Sequence, residues 1–246
     1  MPDFSSIVIL TGAGISAESG LATFRAADGL WEGHRVEDVA TPEAFARDSG
    51  QVHRFYDARR ARLGEVEPNA AHVALARLDA EWPGDLLIVT QNVDDLHERA
   101  GARRLLHMHG ELLRGWCLRC NDRFAWTGDM GGDAACPSCD TRGMVRPDIV
   151  WFGEMPHEME MIEAALRNCG LFVSIGTSGA VYPAAGFVQT AKYVRARTLE
   201  INLEPSQGSI FFDERRFGSA SEEVPKWVAE VLLSSPGRGG GPFTAE

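Results

Sequence analysis

Four cysteines in two identically spaced pairs carry the most specific chemistry in this sequence. Cys117-Leu118-Arg119-Cys120 and Cys136-Pro137-Ser138-Cys139 are separated by fifteen residues. Each pair of this form bends into a knuckle, and four thiolates close a tetrahedron around zinc. A site closed by four thiolates has no open position for water or substrate, so one structural Zn2+ on Cys117, Cys120, Cys136 and Cys139 is expected. The fifth cysteine, Cys169, stands alone and is expected to pack in an apolar helix end.

A second pattern points to a nucleotide. Gly12-Ala13-Gly14-Ile15-Ser16-Ala17 follows an apolar run in the G-x-G-x-x-G/A form. Glycines there let the backbone approach a pyrophosphate at a helix N-terminus, where free N–H groups and the dipole favour an anion. Short glycine patterns also recur as plain turns. The acidic residue that ordinarily follows some 20 positions on has no strand to sit on, because Asp28 and Glu32 fall in a glycine-containing, aromatic stretch. The nucleotide site must then be completed by other segments, which disfavours a standard dehydrogenase.

Among seven histidines, His107-Met108-His109-Gly110 stands out because it just precedes the cysteine segment. Either histidine suits a general base; either is equally consistent with packing or metal ligation, although four cysteines already satisfy a zinc. Three further polar groups end apolar runs: Thr90-Gln91-Asn92-Val93-Asp94, Gly176-Thr177-Ser178 and Asn202-Leu203-Glu204. The ends of parallel strands are where ligands bind in open α/β sheets. Asn and Asp at such places also cap helices, and a helix is expected to start near Asp95.

The elements that must position these groups alternate along the chain. Ile7–Leu10, Leu86–Thr90, Leu171–Gly176 and Thr198–Asn202 are short apolar runs, as expected for parallel strands covered on both faces. Between and after them, Asn69–Trp82 (with Val73, Leu75, Leu78 and Trp82), Glu158–Leu166, Ala184–Val194 and Val224–Leu233 have helical character. The pattern predicts an α/β fold, a Rossmann-like doubly wound parallel sheet. Two insertions interrupt it: a polar helical stretch over Asp28–Arg62 and the cysteine segment Gly115–Val145. Together they are expected to form a smaller domain, a helical insertion with a zinc ribbon. The expected division is 1–30, 70–114 and 147–233 for the Rossmann-like part, and 31–69 with 115–146 for the small one. Residues 234–246, rich in Gly and Pro, are expected to be a disordered tail.

With 246 residues, 44% of them hydrophobic, the chain can bury a real core. A net charge of −11 argues against a nucleic-acid binder, which would present a basic surface. Met1–Ser6 lacks the basic start of a signal peptide, and no apolar run reaches spanning length. A soluble cytoplasmic protein, without membrane or nucleic-acid partners, is the expectation.

Taken together, these residues resemble the sirtuin family. Gly12–Ser16 with Phe24-Arg25 is similar to its first NAD motif, Gln91-Asn92-Val93-Asp94 to its Q-N-[IV]-D motif, and His109-Gly110 to its catalytic H-G. Gly176-Thr177-Ser178 and Asn202-Leu203-Glu204 match later NAD motifs, and the cysteine spacing matches the family's zinc ribbon. The resemblance runs in order from about Ile7 to Leu233. It implies an NAD-dependent enzyme that strips acyl groups from lysines of proteins or peptides. The acyl oxygen attacks the nicotinamide ribose carbon, nicotinamide leaves, and an alkylimidate forms. His109 then acts as base towards a ribose hydroxyl, giving free lysine and O-acyl-ADP-ribose. Asn92 and Asp94 would position the ribose and the nicotinamide amide.

The resemblance further implies an NAD site formed by Gly12, Ala13, Gly14, Ile15, Ala17, Phe24, Arg25 and Trp31 around the phosphates and nicotinamide end. Gln91, Val93, Gly176, Thr177 and Ser178 would complete it, with Asn202, Leu203 and Glu204 near the adenosine ribose and Ala220 on the adenine side. Val150-Trp151-Phe152-Gly153-Glu154 looks like the segment that pairs with substrate backbone as an added strand. Tyr56-Asp57-Ala58-Arg59 resembles the Y-x-x-R pair of class III sirtuins, which favour succinyl and malonyl groups; from charge alone, the neighbouring His53, Arg54, Arg60 and Arg62 would suggest a solvated basic helix. A monomer is the expectation. Mono-ADP-ribosyl transfer on the same NAD site, or a non-catalytic NAD-sensing module, are the competing functions.

Overall fold

The computed structural model describes residues 5–22, 30–31 and 33–234. In chain order its elements begin with β1 (Ser6–Thr11), β2 (Leu30–Trp31), β3 (His34–Arg35), α1 (Val36–Val39), α2 (Pro42–Arg47), α3 (Ser49–Leu63) and α4 (Ala70–Glu81). Next come β4 (Asp85–Thr90), α5 (Leu96–Ala100), β5 (Leu105–His107), β6 (Gly110–Cys117), β7 (Arg123–Ala125) and β8 (Val145–Ile149). The chain continues through α6 (Met159–Arg167), β9 (Leu171–Ile175), α7 (Phe187–Tyr193), β10 (Arg197–Asn202), β11 (Glu214–Phe217) and α8 (Ala220–Leu233).

Six strands form one sheet in the order β11-β10-β9-β1-β4-β5, and every pair in it is parallel. The order reverses direction between β1 and β9, the topological switch point at which doubly wound sheets open a crevice. Side-chain alternation along β1 explains the two layers. Ile7 and Ile9 face a core with Leu75 and Leu78 of α4 and Val224 and Trp227 of α8. Val8 and Leu10 face the opposite core with Ile162 and Leu166 of α6 and Phe187 and Val188 of α7. Burial on both faces is why these strands are uniformly apolar.

Several local outcomes differ from the sequence expectation. Among the described residues that directly follow β1, up to residue 22, there is no regular helix to present a dipole, only two three-residue 3-10 turns, Ala13–Ile15 and Ala17–Ser19. Val73 lies on the outer face of α4, 54% exposed. Ala184–Val194 divides into a 3-10 turn and the shorter α7, and α8 begins at Ala220 rather than Val224. Asp28, Glu32 and the stretch beyond Ser234 lie outside the described residues.

A third core holds α1–α3 against Leu96, Leu112, Ile149 and Trp151. The cysteine segment forms a separate antiparallel sheet, β7-β6-β8, over a small core of Cys117, Met130, Cys136 and Val145. Among the described residues no helix is long and apolar enough to cross a membrane.

Candidate active site

The ends of β1, β4, β9 and β10 open onto a cleft of about 840 Å³ that also reaches α3 and the segment after β8. The two glycine-bearing loops at the switch point interlock. Gly12 N–H donates to Ile175 O at 3.0 Å and Gly14 N–H to Gly176 O at 2.8 Å. A Cβ on Gly14 would stand 2.7 Å from the Gly176 Cα, and one on Gly176 would stand 2.5 Å from Ile15 N. These glycines therefore permit loop-on-loop contact, a different reason from the helix-dipole one expected.

Behind the loops lies a polar network centred on Ser16. Asn69 N–H donates to His72 Nδ1 at 3.3 Å as part of the α4 capping box. That leaves the His72 proton on Nε2, 3.4 Å from Ser16 Oγ. Burial depresses His72 to about 4, so it stays neutral. Asn92 Nδ2 donates to Gly12 O at 3.2 Å and to Ser16 Oγ at 3.1 Å. The Ser16 hydroxyl donates to Asp94 Oδ2 at 3.0 Å, and Asp94 Oδ1 accepts from Leu96 N–H at 3.2 Å. Asp94 thus holds the first N–H of α5, just ahead of the N-cap Asp95, and lines the cleft at once. Its burial pushes its carboxyl up to about 6, against the hydrogen bonds from Leu96 and Ser16.

The two histidines separate cleanly. His107 Nδ1 meets Asn92 O at 3.0 Å and its Nε2 meets Glu98 Oε1 at 2.7 Å. Both partners only accept, which favours the protonated ring; burial opposes this, but the Glu98 bond and charge outweigh it and raise the His107 pKa. His107 does not line the cleft, whereas His109 does. His109 Nδ1 lies 3.1 Å from Gln91 O. A carbonyl only accepts, so Nδ1 carries the proton and Nε2 keeps a lone pair. Burial, aided by His157, lowers the His109 pKa despite the Gln91 bond. The geometry gives a neutral imidazole with one basic nitrogen, as a general base requires.

On the far side, Tyr56 and Arg59 sit one turn apart on α3, and both line the cleft. Only part of the helix is a solvated basic surface: Arg54 and Arg62 are exposed, whereas His53, Arg59 and Arg60 are buried, and Tyr56 fully so. The Arg59 guanidinium lies 3.9 Å from the Trp31 ring centre and 4.5 Å from that of Phe55. In the segment after β8, Val150 N–H donates to His109 O at 2.9 Å, Trp151 N–H to Glu154 Oε2 at 2.8 Å and Phe152 N–H to Ala40 O at 3.0 Å. Three successive N–H groups are thereby committed inside the protein.

Gln91 to Asp94, Gly176 to Ser178 and Asn202 to Glu204 all line the same cleft, as do Gly12, Ala13, Gly14 and Trp31. Asn202 Nδ2 ties two of these strand ends together, donating to Thr177 O at 2.8 Å. Ile15 points into the core, Ala17 is exposed and Ala220 is buried at the start of α8; none of the three lines the cleft. Phe24 and Arg25 lie outside the described residues. Sequence reasoning did not single out Ser16, although it stands inside the glycine motif, nor the Pro205–Gln207 loop and Tyr182 at the mouth.

Away from the cleft, Cys117 and Cys139 sulfurs are 3.7 Å apart, as are those of Cys120 and Cys136. All four lie within 4.8 Å of one another. Sulfurs about 2.3 Å from a tetrahedral zinc would be separated by about 3.8 Å, so the residues fit the metal. The two knuckles share a backbone design. Cys117 O accepts from Asn121 N–H and Cys136 O from Asp140 N–H, each at 2.9 Å, and Asn121 and Asp140 both take positive φ. Neither His107 nor His109 belongs to this cluster.

The Sir2 family model matches residues 12–183, which span the glycine motif, the histidine and the four cysteines. The chain belongs to the Sir2 family. It is 58% identical over 231 residues to a protein of Bdellovibrio bacteriovorus named NAD-dependent protein deacylase, covering 93% of this chain and 97% of that one. A protein of the same name from Pasteurella multocida is 57% identical over 228 residues, with 92% and 97% covered. Among solved structures, a Sir2 homologue–NAD complex superposes with a TM-score of 0.84 at 35% identity, covering 94% of this chain and 92% of that one.

Proposed function

We propose that this sirtuin removes acyl groups from protein lysines with NAD as co-substrate, releasing nicotinamide and forming O-acyl-ADP-ribose. The observation that carries the reading is His109, a neutral base whose Nδ1 is tied to Gln91 O on the wall of the switch-point cleft. In this reading His109 Nε2 takes the proton of a ribose hydroxyl. Asn92 and Asp94, locked by Ser16, position the ribose and nicotinamide. Gly12–Gly14 and Gly176–Ser178 lie along the phosphates, with Asn202–Glu204 beside the adenosine ribose. Phe24, Arg25, Ile15, Ala17 and Ala220 belong to the same proposed NAD set. Substrate lies along Val150–Glu154; because its first N–H groups are committed, backbone pairing with a peptide falls to carbonyls and to Gly153.

Tyr56 and Arg59 are read as the acyl-recognition pair for succinyl- and malonyl-lysine, with acetyl-lysine as a further substrate. An Arg fork matches a carboxylate, and a Tyr hydroxyl supplies another donor. The zinc on Cys117, Cys120, Cys136 and Cys139 holds the ribbon together and takes no part in the chemistry. The same reading divides the chain into the Rossmann-like part and the small domain of 31–69 and 115–146. A cytoplasmic location suits four reduced cysteines.

The test is turnover of NAD with acetyl-, malonyl- and succinyl-lysine peptides side by side, products identified by mass. Nicotinamide, free lysine and O-acyl-ADP-ribose are expected. A peptide that retains ADP-ribose would establish mono-ADP-ribosyl transfer instead, and no turnover would leave an NAD-sensing module.

A further inference from the structure

Trp151 donates its indole N–H to the Tyr56 hydroxyl at 2.9 Å. An indole nitrogen can only donate, so the Tyr56 oxygen must accept, and its own proton is left for another partner. Among the described residues, Trp151 is the hydrogen-bond partner of that oxygen. The nearby acid is engaged elsewhere: Arg146 binds both oxygens of Glu154 at 2.6 and 3.0 Å, and Trp151 N–H shares Oε2.

Trp151 is itself held from several sides. The Arg146 guanidinium lies on its ring, 3.2 Å from the centre, and Arg146 also donates to Ile149 O at 2.7 Å. Phe45 packs at 5.4 Å between ring centres. Arg146 stands opposite Trp116 in the ribbon sheet and lies 5.0 Å over that ring. The brace therefore runs from the ribbon to Trp151 and ends on the Tyr56 oxygen.

We propose that Trp151 is a specificity-positioning residue: by occupying the acceptor side of the Tyr56 hydroxyl, it makes that hydroxyl an obligate donor to the acyl group and so selects acyl chains ending in a carboxylate. The inference rests on the reading of Tyr56 and Arg59 as the acyl-recognition pair. A phenol free to rotate can serve as donor or acceptor. Here one of the two roles is filled before substrate arrives. Accepting a hydrogen bond also polarises the O–H and strengthens its donation. Tyr56 is packed on its other sides but lines the cleft, so an acyl carboxylate lying there can accept its proton where an acetyl methyl cannot.

A double-mutant cycle tests this, using Trp151→Phe, Tyr56→Phe and the double variant, with kcat and KM measured on succinyl- and acetyl-lysine peptides. Each single change is expected to lower the succinyl-to-acetyl ratio of kcat/KM roughly three- to tenfold, mainly through KM for the succinyl peptide. In the Tyr56→Phe background, Trp151→Phe should lower the ratio no further. An equal further loss there would mean that Trp151 acts through packing, and an unchanged ratio in the single variant would equally overturn the proposal. Arg59→Met separates the two layers: a ratio unmoved by that change sinks the acyl-pair reading itself. Should Trp151→Phe fail to fold, indole 15N–1H spectra serve in its place. One of the six tryptophan signals should shift in Tyr56→Phe and again when wild type binds succinyl peptide; no shift in either would overturn the proposal.

Discussion

The two walls of the cleft are built by different means. The switch-point wall consists of backbone and short side chains on strand ends, with Ser16, Asn92 and Asp94 joined by bonds of 3.0–3.1 Å. A parallel sheet buried on both faces fixes their spacing. The opposite wall, proposed to receive the acyl group, uses long side chains on α3, where Arg59 is stacked on Trp31 and Phe55 and Tyr56 is held through Trp151. Its rigidity is borrowed from the ribbon through Arg146. The first wall suits chemistry common to every substrate. The second suits a choice between substrates, since it can vary without disturbing the sheet.

The largest expected effect separates the walls by stability. Structural zinc in small modules contributes on the order of 10 kcal/mol. Chelation, or Cys136→Ser at a buried ligand, should therefore unfold β6–β8 while β1, β4 and β9 keep their hydrogen-exchange protection. Uniform loss of protection along the chain would show that the two walls are one cooperative unit. Metal analysis should find one zinc per chain before chelation. Next in size, His109→Ala should cost about 10²–10⁴-fold in kcat, by a similar factor on acetyl and succinyl peptides, with unchanged thermal unfolding. If His107→Ala instead removed turnover and His109→Ala did not, the base would be misassigned. Smaller and selective, Arg59→Met should lower kcat/KM on succinyl peptide by about one to two orders of magnitude, since hydrogen bonds to charged groups are worth about 1.5–3 kcal/mol. Acetyl turnover should fall little or rise. Equal losses on both peptides would make Arg59 structural and erase the contrast between the walls.

The same contrast governs what was legible in the sequence. The four central strands could be read because burial on both faces makes them apolar throughout. The edge strands could not: β5 is three residues, Leu105–His107, and β11 is the charged and largely exposed Glu-Arg-Arg-Phe. Asn69 and Trp82 bounded α4 correctly because a side-chain cap and a helix end are local events. The polar strand ends do meet in one cleft, as expected. The burial of His53, Arg59 and Arg60 could not be read from charge, because it depends on aromatic rings and carbonyls brought from Trp31, Phe55 and Leu112. The division of labour between His107 and His109 was hidden for a similar reason. Both rings set Nδ1 on a backbone carbonyl. The division turns on Glu98, which takes up Nε2 of His107, and on the cleft, which only His109 of the two lines, and only the folded chain decides that.

The smallest expected effect is a pH dependence confined to the switch-point wall. In the proposed mechanism both working forms there are the deprotonated ones, a neutral His109 and an ionised Asp94. Burial, with help from His157, lowers the His109 pKa from its usual 6.5, so His109 stays neutral to more acidic pH. Burial raises Asp94 to about 6, so Asp94 takes up its proton within the pH range of the activity measurement as pH falls. The acid limb of kcat/KM should then bend near pH 6 and be the same for acetyl and succinyl peptides. Asp94→Asn should lower the rate and change the acid limb, because one of its two contributing groups is removed and His109 alone remains. An acid limb of unchanged position and shape in that variant would show that Asp94 does not contribute to it. Stability carries the opposite sign. Folded Asp94 holds its proton more tightly than the unfolded chain does, so its contribution is largest below about pH 4 and declines as pH rises to about 6. Urea midpoints measured across that window should show wild type losing stability relative to Asp94→Asn as pH rises, while its activity increases.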